Sequence, residues 1–173
     1  ISAGNAGSTS NPHINVPSDA INALAVGAVD SNEAIAAFSS IGPSFDNRVK
    51  PNVCAKGVAT TVSTTSGNIV TSSGTSFAGP VLAGMVATFW SAVPSLTNVQ
   101  VRQFIQESAD LYANPTIYKG YGVPDFQLAL TNALNTMNFS IENPVLYPNP
   151  AQNQITLASK IINGKIFIFN SLG

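Results

Sequence analysis

Ser73-Gly-Thr-Ser-Phe-Ala-Gly-Pro80 and the uncharged run after it, Val81-Leu-Ala-Gly-Met-Val-Ala-Thr-Phe-Trp-Ser-Ala-Val93, decide how the chain is read. Gly74 closes a polar, turn-rich segment. Beyond it Val81, Leu82, Met85, Val86 and Phe89 recur at helical spacing, and Ala83, Gly84 and Ala87 fill the opposite face. A helix that is apolar or small all round is normally buried in a core. Proline belongs in the first turn, where its missing N–H has no partner to lose. Pro80 therefore predicts a helix start between Thr75 and Ala78, with Ser76 at the N-terminus. Unpaired N–H groups and the positive end of the helix dipole stabilise negative charge there. A hydroxyl at that point is well placed to act as a nucleophile. Without its neighbours, Ser76 reads rather as a plain N-cap, since serine is among the best caps.

Upstream, residues 1–5 read as the end of a buried strand entering the glycine turn Ala3-Gly-Asn-Ala-Gly7, and 8–19 as a polar loop. Ala23-Leu-Ala-Val-Gly-Ala-Val29 is a short apolar run, the pattern of a strand covered on both faces. A brief strand is expected at Ala36–Ser39 and a loop at Ile41–Asn52. The alternating, β-branched Val58–Ser63 predicts a strand, with a hairpin turn at Ser66-Gly-Asn68 returning through Ile69–Ser72. Downstream, Thr97-Asn-Val-Gln100 has the form of a capping box, and Val101, Phe104, Ile105 and Ala109 mark one helix face. Asp125 is placed to cap a last helix through Leu134. Strands alternating with helices predict an α/β fold with a mostly parallel sheet.

The character changes after Asn135. Residues 1–135 form the expected α/β domain, 136–143 a linker, and 144–173 the start of a β-rich module. Gln154–Leu157 and Lys165–Phe169 read as strands of that module, which ends on the turn signal Ser171-Leu-Gly173.

The totals narrow the function. The chain of 173 residues is 45% hydrophobic and only 9% charged, with net charge -1. No basic patch suits nucleic acid. The uncharged run falls short of the roughly 20 apolar residues of a membrane span and contains Gly79, Pro80 and Gly84. One cysteine, Cys54, excludes an internal disulfide and a cysteine-based zinc site, and reads as a small buried hydrophobe. The one histidine, His13, sits in a polar loop and reads as solvated. The carboxylates are scattered, without metal-binding spacing.

Several stretches together resemble the subtilisin-like serine proteases. Ser2-Ala-Gly-Asn-Ala-Gly7 is similar to their oxyanion-hole segment and Gly74-Thr-Ser-Phe-Ala-Gly-Pro80 to their nucleophile motif. Ala25–Asp30, Phe38–Pro43, Arg48–Asn52 and Gly120-Tyr-Gly122 follow in family order. The resemblance spans roughly residues 1–134. It implies a three-layer subtilisin-like fold whose N-terminal part lies upstream of Ile1, and a secreted or cell-surface enzyme acting on polypeptides. By the same resemblance Ser76 is the nucleophile and Asn5 the oxyanion donor. Ala3 and Gly4 wall the pocket for the residue before the cut, with Thr75 beside that wall. The family's order of Asp, His and Ser places the first two before this chain begins, so the 173 residues alone are expected to be inactive. Calcium is common in the family, but no position here is assignable, and no other cofactor is implied. Lys56 departs from the family's usual proline, and a local loop change is expected there.

Tyr147-Pro-Asn-Pro-Ala151 resembles the start of the C-terminal sorting domain of type IX secretion cargo. It implies the type IX secretion machinery as a partner. The main alternative is a catalytically dead subtilisin-like domain kept as a surface binding or scaffold module.

Overall fold

The computed structural model describes residues 1–138, 145–147, 150, 152–154 and 156–158. The chain divides into two compact units, Ile1–Leu134 and Asn135–Gly173.

The first unit is built on parallel strands. β1 (Val26–Val29) pairs in parallel with β2 (Val53–Lys56), Val26 opposite Val53. The chain's first residues lie along the other edge of β1. Ser2 bridges Val26 in parallel, Ala3 N–H donates to the Val26 carbonyl, and Val26 N–H donates to that of Ile1. All four β1 residues are buried, as a strand covered on both faces requires. β2 has no counterpart in the sequence reading, because Val53-Cys-Ala is too short an apolar run to signal a strand. Ala36–Ser39, expected as a strand, is instead a turn closed by Ser39 N–H to the Ala36 carbonyl. Only Ile35, just before it, bridges β1.

β3 (Thr60–Ser63) and β4 (Ile69–Ser72) form an antiparallel hairpin. Its turn includes Gly67 at φ 82°, where a side chain would be strained. β3 starts two residues later than the alternation suggests, because Ala59 takes a left-handed φ of 49°.

α1 (Thr75–Ala92) packs on β1 and β2, and Ala78, Leu82 and Phe89 are among its buried residues. Burial on all sides is not what the structure shows. Val81, Met85 and Trp90 are 37–45% exposed, because the strands cover only one face of α1. Pro80 is the sixth residue of α1 rather than part of its first turn. Lacking an N–H, it leaves the Ser76 carbonyl without its i+4 donor.

α2 (Asn98–Glu107) carries the expected capping box. Thr97 Oγ1 accepts from Gln100 N–H, and the Gln100 side chain accepts from Thr97 N–H. Val101 and Ile105 are its buried face. α3 (Phe126–Asn138) is capped by Asp125, whose carboxylate accepts from Gln127 and Leu128 N–H. Phe89 and Phe126 meet edge-to-face at 6.4 Å, joining α1 to the start of α3. α3 runs to Asn138, so the first three residues of the expected linker are helical.

In the second unit β5 (Val145–Tyr147) pairs antiparallel with β6 (Thr156–Ala158), Leu146 opposite Leu157. β6 overlaps the strand expected at Gln154–Leu157. Lys165–Phe169, Ser171–Gly173 and most of the Pro148–Ala151 motif lie outside the described residues.

Candidate active site

The site forms where the first loop of the chain meets the N-terminus of α1. Gly57 allows the approach. A Cβ there would lie 2.8 Å from the Gly74 carbonyl oxygen and 2.7 Å from Ala28 Cβ, closer than real Cβ atoms come. Gly74 N–H donates to the Gly57 carbonyl at 2.8 Å and fixes the point where α1 begins. Gly74 is the N-cap and offers no side-chain acceptor to the first turn. The orphan donors of that turn must therefore find partners elsewhere.

Asn5 supplies one. Its Oδ1 accepts from Thr75 N–H and from the Thr75 hydroxyl, both at 2.9 Å, across 70 residues of sequence. Thr75 Oγ1 accepts in turn from Gly4 N–H at 3.2 Å. Ser40 holds the same loop from behind. Its Oγ accepts from Ala6 N–H at 3.0 Å, and its N–H donates to the Gly4 carbonyl. The consequence lies at the other end of the Asn5 amide. With Oδ1 doubly engaged, Nδ2 is the end left to donate, and it lies beside Gly74. Among the described residues the Ser76 N–H also has no acceptor, as expected for the second residue of a helix. Ser76 itself is exposed.

Thr75 lies beside the Ala3–Gly4 segment, as expected, with its hydroxyl accepting from Gly4 N–H. It is 1% exposed, and its hydroxyl is spent on Asn5 and Gly4. Its place in the geometry is to hold Asn5 rather than to meet a ligand.

Ala3, Gly4 and Asn5 line one wall of a cleft of about 430 Å³, and Asn11, His13 and Asn15 line the other. His13 is exposed, as expected of a solvated loop residue, and it also lines this cleft. A parallel bridge to Ile41 fixes its backbone, with Ile14 N–H to the Ile41 carbonyl and Ile41 N–H to that of Pro12. No local sequence signal reveals this, because the contact joins residues far apart in the chain.

The loop behind the cleft is anchored by cations donating to its carbonyls. Lys50, 2% exposed, sends its ammonium to the Ala20 and Ala23 carbonyls and to Asn52 Oδ1, at 2.8–3.0 Å. Arg48 donates to the Asp19 carbonyl and Arg102 to that of Ile21. Burial, followed by the repulsion of Arg48 and Arg102, pulls the Lys50 pKa from 10.5 down to about 8. Cys54 is buried within β2, and burial pushes its thiol up to about 12. That thiol is an inert hydrophobe. Among the described residues no three His, Cys, Asp or Glu side chains gather to hold a metal. No helix is long and apolar enough to cross a membrane, again among the described residues.

A profile of the Subtilase family matches residues 1–124. The chain belongs to that family. It is 37% identical over 115 residues to the thermostable alkaline protease of Halalkalibacterium halodurans, covering 66% of this chain and 30% of that one. It is 36% identical over 128 residues to subtilisin NAT of Bacillus subtilis subsp. natto, covering 73% of this chain and 32% of that one. The chain thus spans about a third of the length of these relatives. Among solved structures, the self-cleaved protease domain of PatA superimposes with a TM-score of 0.65 at 26% identity, over 78% of this chain and 49% of that one. The fold is the subtilisin-like α/β fold, of which this chain forms part.

Proposed function

We propose that this chain carries the nucleophile half of a serine endopeptidase active site. Ser76 Oγ gives its proton to a base and attacks the scissile carbonyl. The C–N bond then breaks, the amine leaves with that proton, and water hydrolyses the acyl-enzyme to free the acid and Ser76. Asn5 Nδ2 and the Ser76 backbone N–H stabilise the oxyanion of the tetrahedral intermediate. Ala3 and Gly4 line the cleft that takes the substrate residue before the cut. The observation that carries this reading is the clamp of Thr75 on Asn5 Oδ1, which leaves the amide's donor end beside the start of α1.

A serine hydroxyl needs a base. The only histidine, His13, lies along the far wall of the cleft and makes no hydrogen bond to Ser76. The base and its orienting carboxylate therefore come from outside these 173 residues, which alone are inactive. A fluorophosphonate probe on the full-length protein should label Ser76, and Ser76→Ala should abolish labelling and casein hydrolysis. Labelling that survives the substitution unchanged overturns the assignment. A folded full-length protein with no labelling at all points to the non-catalytic binding module.

The second unit is proposed to begin a sorting domain for type IX secretion, which makes the enzyme secreted or surface-bound. Tyr147-Pro-Asn-Pro150 and the β5–β6 pair support this. Deleting the chain from residue 144 onward should retain the protease inside the cell. Unchanged export would remove the proposal.

A further inference from the structure

The cleft beside Asn5 has a chemical character that the endopeptidase reading leaves open. Its first wall is small side chains and backbone at Ala3 and Gly4, with the Asn5 amide beside them. The other functional groups come from the second wall. Asn15 Oδ1 is spent on Val16 N–H at 2.8 Å, so the NH2 end of that amide is the one able to donate. The His13 imidazole and the Asn11 amide on the same wall have no side-chain hydrogen-bond partner among the described residues. Ser18, deeper in, has its hydroxyl committed to the Ala3 and Asn15 carbonyls. Among the described residues no carboxylate lines this cleft, and Asp19 borders the adjoining one instead.

A cleft so furnished discriminates by hydrogen bonding. An apolar side chain leaves its polar groups unpaired on desolvation, which costs more than the apolar contact returns. A lysine or arginine side chain finds no anion. A carboxylate or carboxamide oxygen finds donors in Asn15 Nδ2 and His13. We propose that this cleft selects glutamate or glutamine as the residue before the scissile bond, with Asn15 and His13 as the specificity-determining residues. The proposal rests on the endopeptidase reading of Ser76 and deepens it.

The test uses the full-length protein and peptide substrates that differ only in the residue before the cut: Glu, Gln, Leu, Phe or Lys. The expected result is a kcat/KM for Glu and Gln at least about tenfold above Leu, Phe and Lys. Asn15→Asp keeps an oxygen for Val16 N–H but replaces the donor with a carboxylate. It should move the preference to Lys by a similar factor. His13→Leu should raise Phe and Leu at the expense of Glu and Gln, with an unchanged melting temperature. A wild-type preference for Leu or Phe, or profiles that neither variant moves, overturns the proposal. If fluorophosphonate labels Ser76 in that case, the protease reading stands and only the specificity falls. If nothing labels Ser76, both fall together.

Discussion

Two regions meet at Asn5 and are built on opposite terms. Under the start of α1, polar groups are committed. Thr75 spends its N–H and hydroxyl on Asn5, Gly4 donates to Thr75, and Ser40 holds Ala6. Along the wall formed by Asn11, His13 and Asn15, side-chain donors stand unpaired in an open cleft. The difference matches two chemical tasks. Stabilising charge that appears only during reaction needs donors fixed beforehand, because reorganisation at that moment costs free energy. Choosing a substrate side chain needs groups that remain unsatisfied until the right partner arrives. Fixed geometry belongs to the first region, and unspent hydrogen-bonding capacity to the second.

The largest effect that sharpens this contrast is loss of the nucleophile. Ser76→Ala in the full-length protein should lower kcat by about 10⁶, the loss seen for the nucleophile of subtilisin, a member of the same family. A loss below about 10² would mean that another group attacks. Next is the clamp. Thr75→Val removes one donor to Asn5 Oδ1 and the acceptor for Gly4 N–H. A net hydrogen bond of about 1–1.5 kcal/mol corresponds to about tenfold in kcat. KM should stay near wild type, and Thr75→Ser should restore the rate. A drop confined to KM would mean that Thr75 serves substrate binding rather than the Asn5 clamp.

The anchor behind the cleft gives the smallest effect, and it is read in stability. Lys50→Met leaves the Ala23 carbonyl without its donor and the Ala20 carbonyl with only the Ala23 N–H, and should destabilise by about 1–3 kcal/mol. The pH dependence has a definite sign. The folded pKa of Lys50 is about 8, against 10.5 in the unfolded chain. Between those values the unfolded state binds more protons, so this residue's contribution rises with pH. It is complete above 10.5 and lost as pH falls through about 8. Melting temperatures of wild type relative to Lys50→Met should therefore diverge upward across that window. A flat difference would mean that the lysine is not held as described.

Much of the fold was legible because its signals are local. The α1 spacing, the Thr97–Gln100 box, the hairpin turn and the Asp125 cap each lie within one element. β2 escaped because three apolar residues carry too little pattern, and its place depends on pairing with β1. The exposed face of α1 could not be read from composition, since apolar content does not say which side a sheet will cover. For the site, a helix-terminal serine was readable from Pro80 and Gly74. The nearness of Asn5 followed only from family resemblance. The commitment of Thr75 and the cleft position of His13 depend on contacts 70 and 28 residues apart, which no window of sequence displays.

The most direct test of the central claim is steady-state kinetics of Asn5→Ala in the full-length protein. The family's own value for losing such a donor, taken from subtilisin, is about 10²–10³ in kcat. That loss is the predicted result, with KM changed by no more than about threefold, as expected of a contact made only in the transition state. An unchanged kcat, or a loss carried wholly by KM, would contradict the account.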